Sequence, residues 1–415
     1  MRQTLTHHVV NLRQPYSSNR YRTEHKTNLS SLAYIMSYHP KSLFQRLRES
    51  LERNRLQNPY GEAEHAIAGE CQEMCPKREQ KERENQRRLH TLEMVEGTER
   101  ERRPKVDCSL AIKEYSRPAA GKEQANPCDL RPPEVLMKVV NHIVQNILTR
   151  TDLPWFKIYN FAFDRLRAVR QDLVIQRASG SECVMILEQC ARFHIYSAYR
   201  LCSAPLSEFD PKINSDHTSE CLKRLLFIYQ LQRQDENIEQ DKTKQDAQIQ
   251  MESCHVLFNL GSFDTLFHIL SLPKEIRLSP RLVNAVALAK AFLEGNYIRV
   301  KKLAVRLSAI ELCCLHTHLQ QMRSQALTTM NAAFSSRNLL FPMQVLTNWL
   351  MFDEVEEAQD FCHHYGLTLK DGKVVFSKSC SLQDYKLPPK RSWCTYIDCQ
   401  LEVLTIPDII QGAVR

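Results

Sequence analysis

The sequence predicts an all-α protein: a right-handed solenoid of helical hairpins, tetratricopeptide-like in plan, capped by a winged helix with a small β-hairpin. Three observations lead there. From Pro132 onward apolar residues recur at helical spacing, interrupted only by short turns carrying Pro, Gly or Ser. Glycine is scarce, 10 in 415 residues, and no apolar run approaches the roughly twenty residues that span a bilayer. Near the end, Asp371-Gly372 separates the short runs Leu367 to Leu369 and Val374 to Phe376, a hairpin signal because a tight turn needs positive φ.

Taken in order, residues 1–65 form a basic arm, expected to be largely disordered, with one short amphipathic stretch from Ser42 to Arg55 built on Leu43, Phe44, Leu47 and Leu51. Arg2, Arg13, Arg20 and Arg22 against Glu24 faintly resemble a transit peptide, but a basic tail is the preferred reading. Residues 66–131 mix extended and helical sequence. Lys77 to Lys105 is laced with charge, and the pairs Glu79 to Arg83 and Glu84 to Arg88 have the acid-first spacing of a solvated helix.

The solenoid is expected over 132–308. Leu136, Val139, Val140, Ile143 and Ile147 make one stripe; Val184, Leu187, Ala191, Ile195 and Ala198 a second; Leu222, Leu225, Leu226 and Tyr229 a third. Breaks fall at Asp152 to Pro154, Ser179 to Ser181, Pro205 to Pro211, Gln232 to Gln245 and Pro273 to Pro280. No fixed period emerges, so the expectation is stacked helix pairs without a regular repeat. The winged helix follows over 309–380, from the order helix, helix, helix, hairpin, and 381–415 is left as a tail.

Phe161 to Gln176 stands out. A stripe of Tyr159, Ala162, Phe163, Leu166, Val169 and Leu173 is flanked by Asp164, Arg165, Arg167, Arg170 and Asp172. Guanidinium groups so close to a core-facing stripe call for carboxylate or carbonyl partners, and an ion-pair lattice is the expected use. Arg167→Ala is expected to destabilise the fold before it alters binding.

Chemistry is sparsely signalled. Cys71 and Cys75 in GECQEMCP are spaced too widely for a zinc knuckle and lack a second pair, so they read as an apolar plug ending at Pro76. Cys313, Cys314, His316 and His318 fall on an ordinary core helix, and His363 and His364 suit a helix C-terminus. No phosphate-binding loop, dinucleotide fingerprint or nucleophile elbow occurs. No enzyme activity, cofactor, metal, membrane contact or small-molecule substrate is predicted. The 15 cysteines, scattered through apolar helical segments, point to a reducing compartment.

The net charge of +8 is mild and permits an acidic partner without naming one. Arg299, Lys301, Lys302 and Arg306 before the winged helix, and Lys370, Lys373 and Lys378 on its wing, are either solvated faces or weak, non-specific contacts to RNA or DNA. Phe341, Leu346, Trp349, Leu350 and Phe352 are the candidate anchors for a protein partner if they are exposed apolar residues of a terminal helix, and ordinary packing in the domain's own core is the competing reading.

Five blocks together resemble a known family. They are Gly69 to Pro76 (GECQEMCP), Lys113 to Gly121 (KEYSRPAAG), Leu130-Arg131-Pro132, Phe163 to Leu173 (FDRLRAVRQDL) and Glu188 to His194 (EQCARFH). In that order they resemble the Sac-three/GANP homology domain, a PCI-like scaffold, over about residues 65–380. The resemblance implies that Cys71, Cys75, Pro76, Tyr115, Arg117, Pro118, Asp164, Arg165, Arg167, Arg170, Asp172, Arg192 and His194 are structural, with the first two blocks wrapped on the solenoid. It implies a non-enzymatic scaffold that holds a second PCI-type protein, with paired winged helices as a platform for nucleic acid.

Phe-Gly dipeptides are absent and the chain stops soon after the winged helix, so the expectation leans to the small stand-alone members. These are linked to centrosome duplication and spindle progression, at the centrosome and spindle in the cytoplasm, with a centrosomal protein as partner. A minimal, nuclear mRNA-export scaffold (TREX-2-like) is the alternative.

Overall fold

The computed structural model describes residues 67–117, 126–234, 242–336, 339–378 and 391–412. The basic arm 1–65, with its expected short helix, lies outside the described residues, as does Pro118. No helix among the described residues is long and apolar enough to cross a membrane.

The chain enters extended. Glu70 and Cys71 donate their backbone N–H groups to the carbonyls of Pro127 and Leu130, both at 2.9 Å. Pro76 then opens α1 (Lys77–Asn85), where a residue without an N–H costs nothing. Cys71 and Cys75 are buried, as a plug requires, and burial pushes the Cys75 thiol up to about 12.

The solenoid begins with α2 (Pro133–His142), which runs into a π-helical turn at Ile143–Ile147, and continues through α3 (Trp155–Ile175), α4 (Ser181–Arg200) and α5 (Pro211–Gln234). It goes on through α6 (Lys242–Phe258), α7 (Phe263–Leu270), the short α8 (Lys274–Arg277), α9 (Pro280–Leu293), α10 (Tyr297–Ala304) and α11 (Ala309–His316). Starts at Trp155, Ser181, Pro211 and Pro280 fall at the Pro- and Ser-bearing breaks read from the sequence. Gly295 at φ +66° turns the chain between α9 and α10, and Asn296 caps α10 by accepting from the Arg299 N–H at 3.0 Å.

The stripe residues of α2, α4 and α5 share one hydrophobic core that extends to Met322. A second core, from Ala326 to Phe376, belongs to the winged helix. The helix α12 (Leu319–Phe334) enters both, so α11 packs with α4 and α6 in the solenoid rather than opening the winged helix.

The winged helix continues with β1 (Phe341–Pro342), α13 (Met343–Trp349), α14 (Val355–His364), β2 (Thr368–Lys370) and β3 (Lys373–Val375). The strands form an antiparallel sheet in the order β1-β3-β2, with Leu369 opposite Val374 and Phe341 on the other side of Val374. Asp371 and Gly372 both have positive φ, +50° and +69°, as a two-residue hairpin requires. The hairpin was legible; β1 was not, because a two-residue strand carries no alternation.

Residues 391–412 are not a loose tail. They form α15 (Thr395–Glu402) and α16 (Ile406–Gln411), and Cys394, Ile397, Ile409 and Ile410 join the solenoid core. Thr405 and Asp408 close a capping box, and Gly412, at φ +77°, ends α16 against Arg192. A Cβ there would lie 2.5 Å from the Arg192 guanidinium carbon.

Candidate interaction surfaces

The family blocks converge on α3. Glu93, fully buried, receives Arg83 Nη1 at 2.7 Å, Arg165 Nη2 at 2.9 Å and the Ile112 N–H at 2.9 Å. Burial would raise its carboxyl, but Arg165, Arg83 and the Ile112 amide hold it below the usual value. Asp172, equally buried, receives Arg131 Nε and Lys113 Nζ, each at 2.8 Å. Both carboxylates therefore tie α3 to the N-terminal wrap: Glu93 accepts from Arg165, and Asp172 lies on α3 itself.

Arg170 forms an ion pair with Glu220 at 2.8 Å and meets His217 Nδ1 at 2.8 Å, which joins α3 to α5. Hydrogen bonding from His217 leads, with Arg170 beside it, in bringing Glu220 down to about 2. Arg165, Arg170 and Asp172 thus lie inside the molecule, not on the flanks of a half-exposed helix, because the wrap covers one side of α3 and α5 the other.

Arg167 departs from the expected lattice. Its guanidinium stacks 3.7 Å over the ring of Tyr115, while Asp164 pairs with Arg165 and accepts the Tyr115 N–H at 3.2 Å. Arg117 is exposed at the end of the wrap. His194 donates from Nδ1 to Asn214 Oδ1 at 2.9 Å, and Tyr159 reaches the same oxygen at 3.2 Å, so one amide links α3, α4 and α5. Arg192 donates to Gln250 at 2.9 Å and sits beside Glu188 and the Ile410 carbonyl.

At the winged-helix end the expected anchors need correction. Phe341, Leu346, Leu350 and Phe352 are buried in that domain's own core, so they cannot greet a partner without unfolding it. Sequence alone placed them on a terminal helix; β3, α12 and α14 close over them. Trp349 is half-buried, edge-on to Phe341 at 5.5 Å and tilted on Tyr297 at 6.4 Å, which couples the winged helix to α10.

Arg323, overlooked in the sequence, secures the turn between α13 and α14. It donates to the Leu350 carbonyl at 3.0 Å and to Met351, and lies 3.8 Å over the Phe352 ring.

The basic candidates separate into two groups. Lys301 is spent internally, donating to the Asn348 carbonyl at 2.5 Å and to its side chain, while Arg299, Lys302 and Arg306 are exposed. On the wing, Lys370 stands directly opposite Lys373, and Lys378 is also exposed. Like charges across a strand pair repel, so an anion at the wing tip would relieve them. The face of α14 has the opposite sign: Asp353, Glu354, Glu356 and Asp360 are exposed, with Glu357 half-buried. No cluster of metal-ligating side chains occurs among the described residues.

The SAC3/GANP family model matches residues 74–371. The chain is 31% identical over 340 residues to Protein xmas of Drosophila melanogaster, covering 78% of this chain and 16% of that one. It is 29% identical over 371 residues to SAC3 family protein 1 of Schizosaccharomyces pombe (84% and 35%) and 26% identical over 312 residues to SAC3 family protein B of Arabidopsis thaliana (73% and 18%). The aligned segment is thus a minor part of each of these relatives.

Proposed function

Because the chain belongs to the SAC3/GANP family, we propose that it is a non-enzymatic scaffold holding a second PCI-type protein at its winged-helix end. The observation that carries this reading is the family match across both the wrap and the winged helix. The local geometry supports it: Lys301 and Trp349 fix the winged helix to α10, so that end presents a rigid face. The order β1-β3-β2 leaves β2 on an edge, where a partner strand can add. With four of the five expected anchors buried, contact passes through the rim of Trp349 and the β2 edge.

Two cellular settings fit such a scaffold. The likeness to long SAC3 family proteins favours mRNA export, the function that the family resemblance implies for large members. The centrosome and spindle are the other setting. Affinity purification from dividing cells, with the tagged chain followed through the cell cycle, separates them. A PCI-type protein and a nuclear signal are expected for export, and centrosomal proteins with a centrosomal signal for the alternative; recovery of neither partner class would remove the scaffold reading.

Nucleic acid is a secondary reading, carried by the Lys370 and Lys373 pair and opposed by the acidic face of α14. Replacing Lys370 and Lys373 by Gln should flatten the salt dependence of RNA binding, by a slope of about 0.7 per lost phosphate contact. Unchanged binding would confine any RNA contact to Arg299, Lys302, Arg306 and Lys378.

A further inference from the structure

A cleft of about 290 Å³ opens where α4, α5, α6 and α11 meet, and Arg391 lines it. The backbone around Arg391 is held on several sides. His316 Nε2 donates to the Ser392 carbonyl at 2.8 Å, the Trp393 indole donates to the Arg200 carbonyl at 3.3 Å, and the Cys394 N–H donates to the Tyr199 hydroxyl at 2.9 Å. The arginine stem therefore leaves a fixed strap.

Its guanidinium makes no hydrogen bond or ion pair among the described residues, and burial pulls its pKa down, with only the nearby Cys202 thiol opposing. The contrast with Arg83, Arg131, Arg165, Arg192 and Arg323 is plain, since each of those is met by a carboxylate, a carbonyl or both. A half-buried guanidinium in this position is solvated from the cleft, and a ligand carboxylate can take the place of that water.

The remaining wall says what would complete it. Asn214, Ser215, Asn259, Thr317 and His318 line the cleft with Arg391, and among the described residues no Asp or Glu does. His318 is engaged with the Phe258 carbonyl at 2.9 Å, and burial keeps it below its ordinary pKa, so it adds no charge at neutral pH. The cleft thus offers one planar cation among neutral polar groups. A guanidinium fork matches a carboxylate in two parallel hydrogen bonds, and one positive charge balances a monoanion better than a doubly charged phosphate. The volume lies at the small end of ligand sites, room for one acidic side chain or a small organic acid but not for a nucleotide cofactor.

We propose that this cleft is a carboxylate-binding site, with Arg391 as the anion-binding residue and Ser215 as a neighbouring donor. The site lies apart from the winged-helix end and does not rest on the docking reading above, so either can fail alone.

The carboxylate has two possible sources, and calorimetry on the full chain separates them. The probes are N-acetylglutamate as the free acid, and an acetylated, amidated Gly-Glu-Glu-Gly peptide. Saturable binding of the peptide alone assigns the site to an acidic segment of a partner, and binding of both assigns it to a small organic acid. Arg391→Gln should weaken the interaction about tenfold or more, the loss of a charge-assisted bidentate pair. The same variant should leave the unliganded melting temperature unchanged, because no described residue pairs with this half-exposed guanidinium. Ser215→Leu, which fills the cleft and keeps the arginine, should also abolish binding. No saturable binding by either probe, equal binding by Arg391→Gln, or full binding by Ser215→Leu would each overturn the proposal.

Discussion

Around α3 the interior is charged, whereas in the winged helix it is almost wholly apolar. Glu93 and Asp172 are fully buried among Arg83, Arg131, Arg165 and Lys113, and they join segments far apart in sequence. The winged-helix core instead collects Phe341, Met343, Leu346, Leu350, Phe361 and Val374, with Arg323 as its buried charge at the border. The difference teaches what each region demands of its sequence. A buried ion pair tolerates no substitution that strands one partner, while an apolar core accepts many side chains of suitable volume. The sequence blocks between Gly69 and Leu173 that resemble the family lie in the wrap and on α3, where each charge needs its particular partner.

That comparison can be broken most forcefully at Glu93. Glu93→Ala leaves Arg83 and Arg165 buried without their shared carboxylate and should cost about 3–5 kcal/mol. Chemical denaturation measures it, and a loss below about 1 kcal/mol would show that the charges are hydrated or replaceable. Leu346→Ala tests the other region, where a cavity in a dry core should cost about 2–5 kcal/mol. Leu346→Met, by contrast, should cost less than about 1.5 kcal/mol, since volume rather than identity is what that core requires.

Acid separates the regions by a different route. Burial lowers the pKa of His255 to about 3 and of His316 to about 4, and carries His194 well below 6.5. All three lie in the solenoid. Their folded pKa values sit below the unfolded value, so the unfolded chain binds protons first as pH falls through 6.5, and stability is lost on acidification. Each such histidine contributes up to about 1.4 kcal/mol per pH unit. Melts taken from pH 7 to pH 5 should fall steadily, and a pH-independent melting temperature would contradict the burial of these rings.

Arg167→Ala sharpens the comparison on the smallest scale. Arg167 stacks on Tyr115 instead of joining the lattice, so its loss should cost about 0.5–2 kcal/mol, less than Glu93→Ala. A cost equal to that of Glu93→Ala would place Arg167 in the lattice after all.

Much of the architecture is legible in the sequence. Helix starts at Pro, Ser and Gly breaks, the three apolar stripes and the Asp371-Gly372 turn all rest on local backbone chemistry, which a short window of sequence contains. The lattice was half legible: the need for carboxylates near Arg165 could be stated, but Glu93 lies 72 positions away and nothing local marks it. The C-terminal strap escaped because its apolar residues, Ile397, Ile409 and Ile410, are too few to show a period. Its capping box at Thr405 and Asp408 was the available signal.

The winged-helix anchors show where such reading stops. Leu346 and Leu350 on a short terminal helix look the same whether they face a partner or their own domain, because the pattern records which face is apolar and not what covers it. By itself the sequence determined the helices, their breaks, the hairpin and the family blocks, since backbone propensity and periodicity act over a few residues. Tertiary structure alone decided which charges became partners, which apolar faces were already occupied and which arginine, Arg391, came to line a cleft, because burial and pairing depend on neighbours that only folding brings together.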